Sequence, residues 1–95
     1  MKIKELVDIV DEAIANVKIA IVSSQQRVFE SPYTSWEFTQ RSLELEDELD
    51  KLKKIRNYII QFDPEADAGK IFKEEELKEL LVYLRIMTEM RAHEF

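Results

Sequence analysis

The chain has 95 residues, 45% of them apolar, with one glycine, two prolines, no cysteine and a net charge of −6. That length fits one domain with a modest core. So few breakers exclude a fold built from many strands and turns, and the lack of thiols excludes disulfide staples and thiolate chemistry.

The first predicted helix covers residues 2–30. Ile3, Val7, Val10, Ile14, Val17, Ile21, Ser24 and Val28 recur at 3-4 spacing, a heptad seam of almost four repeats. Its apolar members are all β-branched, so packing rather than propensity must hold the helix. The middle, AIANVKIAIV from Ala13 to Val22, interrupts its apolar run only with Asn16 and Lys18. Leu6, Ile9, Ala13 and Ala20 flank one side of the seam. Ala15, Ile19 and Val22 lie away from it and predict a subunit interface of a homo-oligomer, because a helix apolar nearly all round is covered on several sides. The other reading is that small alanines let the remaining helices wrap closely.

Residues 28–38, VFESPYTSWEF, hold four of the nine aromatics. Pro32 disfavours helix at Ser31 and ends the first helix near Glu30. Thr34 to Glu37 form a capping box, with Tyr33 and Phe38 as its hydrophobic staple. Trp36 is two positions from Phe38, so it points outward if Phe38 faces the core. It is then either an anchor for a partner or part of a lid on the bundle end, together with Phe29.

The second predicted helix covers residues 35–62, with Phe38, Leu45, Leu49, Leu52, Ile55, Ile59 and Phe62 as its stripe. Acids crowd its first half (Glu37, Glu44, Glu46, Asp47, Glu48, Asp50) and bases its second, the polarity the helix dipole favours. Residues 37–50 carry −5, 51–56 carry +4 and 63–79 carry −4. The one basic cluster, Lys51, Lys53, Lys54 and Arg56, adjoins an acidic block, so direct binding to nucleic acid or anionic membrane is not expected. Asp63 is expected to cap a short turn with Pro64 following, and Gly69 to take a left-handed closing position. The third helix is predicted over residues 71–92, with Leu77, Leu80, Leu81, Leu84, Met87 and Met90 inward, widened by Val82, Tyr83 and Ile86. Short connections make this an all-α, antiparallel up-down-up three-helix bundle with a long helical hairpin, a single domain over residues 1–95, assembled as a homo-oligomer and most simply as a dimer. No apolar run is long enough to span a membrane, and no signal-like segment opens the chain, so a cytoplasmic setting is expected.

The catalytic inventory is short. His93 is the single histidine, and one glycine cannot build a phosphate loop. Carboxylates remain, and on facing helices they can hold Mg²⁺. EEELKELLVYL (74–84) resembles the second motif of MazG-like all-α nucleoside triphosphate pyrophosphohydrolases, with Glu76 and Glu79 at its acidic positions and Glu where Asp is usual. The first motif of that family falls on residues 44–48, where Glu44 and Glu48 match its ends and Leu45 replaces its second glutamate. That resemblance implies Mg²⁺ held by Glu44, Glu48, Glu76 and Glu79 around nucleotide phosphates. The reading that needs no catalytic group or cofactor is a small acidic helical protein-interaction module. It would be a regulator or inhibitor of the kind common among phage and mobile-element proteins, binding a protein partner through Trp36, Phe29, Tyr33, Glu44, Asp47 and Glu48. Its acidic surface could imitate a nucleic-acid backbone.

Overall fold

The computed structural model describes residues 1–30 and 35–90, with side chains described outside 27–35. The described chain is helical, in four elements: α1 (Ile3–Glu30), α2 (Ser35–Ile59), a single turn α3 (Ala68–Ile71) and α4 (Glu74–Glu89). The Phe29 side chain, Tyr33, the Thr34 cap and the Tyr33–Phe38 staple lie outside what the structure describes.

α1 is the common element, since both α2 and α4 pack on it. Its buried line is Ile3, Leu6, Val10, Ala13, Val17, Ala20 and Ser24, again at 3-4 spacing, while Val7 and Ile14 are only half-buried. The line is thus displaced from the predicted one. The cause is that α1 serves two neighbours, and the centre of its buried arc falls between them. Part of the apolar middle is explained within the chain, because Ala13, Val17, Ala20 and Ile21 are all buried. The small alanines allow close helix approach.

α2 buries Ser42, Leu45, Leu52 and Ile59 against this face, with Phe38, Leu49 and Ile55 partly covered. Across the contact Arg56 Nε donates to Asp11 Oδ1 at 2.7 Å. The helix stops at Ile59, three residues short of the predicted 62. Gln61 and Phe62 amides bond to the carbonyls three residues back, at 3.3 and 3.2 Å, so the chain tightens into a narrower turn ahead of Asp63-Pro64. Asp63 caps the next turn as expected, its carboxylate accepting from the Glu65 amide at 2.9 Å.

The 63–68 connection closes the start of α1. Helix amides there have no partner of their own; here Ile3 and Lys4 donate to the carbonyls of Ala66 and Pro64, both at 2.9 Å. Lys2 and Lys4 ammonium groups bracket Glu65 at 2.8 and 2.9 Å and hold its carboxyl below the usual range. Gly69 departs from expectation. No described glycine has a positive φ; Gly69 lies inside α3 and donates its amide to Asp67 Oδ1 at 2.9 Å. A Cβ there would sit 3.3 Å from that oxygen.

The third predicted helix is divided. α3 ends at Ile71, Phe72 and Lys73 are extended, and α4 starts at Glu74. Phe72 leaves the helical path to stack edge-on with Phe62 at 6.1 Å, and Tyr58 joins both rings. Glu74, Glu75 and Glu76 occupy the positive first turn of α4. At the other end Met90 is extended, so α4 stops short of the predicted 92.

Candidate protein-interaction surface

The point where α4 stops has a specific cause. Asn16 Nδ2 of α1 donates to the carbonyls of Met87 and Met90 at 2.7 and 2.6 Å, satisfying two of the acceptors a helix end leaves open. Asn16 is thus a cap supplied by another helix. Sequence reading did not assign it this role, although it is the lone amide in AIANVKIAIV. α1 continues for fourteen residues beyond Asn16, ~21 Å of helix that α4 does not reach.

On α2, Trp36 is 74% exposed and Phe38 is half-buried, the orientation their spacing called for. Leu43, seven residues on and two turns along the same face, is 58% exposed. Gln40 and Asp47 complete an i, i+4, i+7, i+11 stripe with them, and Glu44 borders it. All six of Trp36, Gln40, Leu43, Glu44, Glu46 and Asp47 are exposed, so the start of α2 presents two large apolar groups within a rim of carboxylates. Leu43 was absent from the predicted site. Its signal was available: it is off the α2 core stripe, two positions before the buried Leu45.

Glu48 is not part of that edge. It is half-buried, accepts a hydrogen bond from the Tyr83 hydroxyl of α4, and pairs with Lys51 at 3.4 Å. Burial, and then the Glu48 carboxylate, push the Tyr83 hydroxyl well above its ordinary range. The contact therefore fastens α4 to α2. Glu76 and Glu79 are exposed on α4, two turns and one turn before Tyr83 in the chain. Among the described residues no three acidic or histidine side chains lie close enough together to hold a metal ion, so the four glutamates of the pyrophosphohydrolase resemblance are not gathered here.

On α1, Ala15 is exposed, Ile19 is 64% exposed and Val22 53%. Ile19 is nine residues from Val10, two and a half turns, and so faces away from the core line. α4 has its own outward apolar pair, Val82 and Ile86. No described helix is long and apolar enough to cross a membrane. The accessible surface is 6629 Å² for an 11.3 kDa chain, roughly 900 Å² above the norm for folded monomers of that mass. The radius of gyration is 15.5 Å where ~12 Å is usual for a compact domain of this length.

Comparison with known protein families, curated proteins and solved structures finds no match to this chain.

Proposed function

We propose that the chain is a helical protein-interaction module, an up-down-up arrangement of its three long helices that captures a protein partner on the outer edge of α2. The observation that carries this reading is the exposure of Trp36 at the first turn of α2, in line with Leu43 and beside Glu44 and Asp47. A tryptophan presented on a rigid helix is the anchor that interfaces use most, because it desolvates a large area at small entropic cost. The carboxylates set the partner's chemistry: an apolar pocket rimmed by lysine or arginine, to which the acidic edge steers. By holding that surface the module regulates or inhibits the protein it binds.

Trp36 is the only tryptophan, so its fluorescence reports the edge directly. The free chain is expected to show a red, water-exposed emission maximum. Trp36→Ala should leave helical content and Tm unchanged and weaken partner binding by ~2 kcal/mol or more. A blue emission maximum in the free chain, together with a large loss of stability on substitution, would return Trp36 to the core and end this reading.

A further inference from the structure

We propose that the groove between α1 and α2 at Lys18, Lys53 and Arg56 binds the phosphoryl group of a small organic phosphate. The groove has a volume of about 340 Å³ and is lined by Asp11, Ile14 and Lys18 of α1 and by Lys53, Arg56 and Asn57 of α2. That volume is at the lower end of the range for small-molecule sites.

Two features of the sequence meet here. Lys18 is the second polar residue in AIANVKIAIV. Asn16, the first, bonds to the end of α4, and a residue two positions on points roughly 200° round the helix from it. The basic run of α2 divides by face. Lys51 turns to Glu48 at 3.4 Å, whereas Lys53, Arg56 and Asn57, at i, i+3 and i+4, share the side that meets α1.

The groove holds three cations against a single carboxylate, a surplus of +2 in a chain of net charge −6. The carboxylate is already held: Arg56 Nε donates to Asp11 Oδ1 at 2.7 Å, which also fixes the guanidinium across the helix contact. The terminal nitrogens of Arg56 keep their donors. Lys18 and Lys53 form no ion pair among the described residues.

These donors match one chemistry. A phosphate monoester carries close to two negative charges at neutral pH and three acceptor oxygens. Arg56 presents a planar fork to one edge of that group, and each lysine brings a point charge to the oxygens that remain. A lone carboxylate would balance only half of the surplus charge. Ile14, half-buried, adds an apolar wall for the organic part of the ester, and Asn57 adds an amide. The acidic block of α2 ends at Asp50, one turn before Lys53, so an extended polyanion is repelled while a compact anion is accepted.

The test is a titration of the ¹⁵N-labelled chain followed by NMR at constant ionic strength, with inorganic phosphate and phenyl phosphate as probes and sodium chloride as the blank. Phenyl phosphate should produce saturable shifts at Ile14, Lys18, Lys53, Arg56 and Asn57. It should bind about tenfold tighter than inorganic phosphate, because its ring covers apolar surface. Lys18→Gln combined with Lys53→Gln should weaken phenyl phosphate binding at least ~10-fold. Lys73→Gln combined with Lys78→Gln changes the net charge equally and should leave binding within ~2-fold of wild type, since those charges are screened from the groove. All four lysines are exposed, so both double variants should keep the helical circular dichroism. Non-saturating shifts, shifts spread over lysines outside the groove, equal affinity for the two probes, or equal losses in the two double variants overturn the proposal. If the groove variant does not fold, the wild-type titration decides. The groove lies ~25 Å along α2 from Trp36, so the partner-binding reading is tested separately and does not depend on this result.

Discussion

Replacing Asn16 with alanine should loosen α4 from α1. The wild-type amide makes two hydrogen bonds, at 2.7 and 2.6 Å, to the carbonyls of Met87 and Met90 in a partly buried setting. Each such bond contributes ~0.5–1.5 kcal/mol net, and a buried acceptor left without a donor costs more. Water can reach a partly buried helix end, which moderates the loss. The expected destabilisation is therefore about 2 kcal/mol, a fall in Tm on the order of 10 °C for a domain of this size. Urea denaturation gives the free energy, and amide hydrogen exchange locates it: α4 should exchange faster, while the central amides of α1 and α2 keep their relative protection. Asn16→Asp should be worse than Asn16→Ala, because a carboxylate would then face two carbonyl oxygens and the negative end of the α4 dipole. An alanine variant within ~0.5 kcal/mol of wild type, or an aspartate variant no less stable than alanine, would refute Asn16 as the cap that holds α4.

Two other side chains give independent checks. Tyr83 ionises near 10.0 in the unfolded chain, whereas burial and Glu48 keep it protonated in the folded one; this contribution is complete below pH 10 and lost as pH rises above it. Alkaline titration by tyrosinate absorbance should therefore show Tyr83 ionising only with unfolding, and Tyr83→Phe should remove that coupling at a cost of ~1 kcal/mol at neutral pH. Ser24 is buried and its hydroxyl has no hydrogen-bond partner among the described residues. Ser24→Ala should therefore be neutral or stabilising by up to ~1 kcal/mol in urea denaturation, and a loss above that would reveal a bond to the hydroxyl.

The outward apolar edges of α2 and α1 differ in chemistry. The α2 edge is a tryptophan and a leucine among carboxylates, which is why a basic-rimmed pocket is proposed for it. The α1 edge is aliphatic, with Ala15, Ile19 and Val22 between Glu12 and Gln26. Both are i, i+4, i+7 stripes on the side of a helix opposite its core line.

Periodicity and breakers determined much of this protein from sequence alone. Helical class, the long first and second helices, the Asp63 turn, the inward stripe of α2 and the outward direction of Trp36 all follow from local rules, because 3.6-residue geometry fixes which residues share a face. The exposure of Ala15, Ile19 and Val22 was legible for the same reason. What those rules could not decide was how neighbouring elements divide a face. The buried line of α1 moved to Leu6, Ala13 and Ala20 because α4 competes with α2 for it. Gly69 entered a helix rather than closing one, because Asp67 caps that turn. The split between α3 and α4 follows from Phe72 joining the rings of Tyr58 and Phe62, and the end of α4 from an amide on α1 more than 70 residues earlier in the chain. Each of these rests on a contact between distant segments, and a sequence pattern records only the faces a helix offers, while packing determines which neighbour takes them.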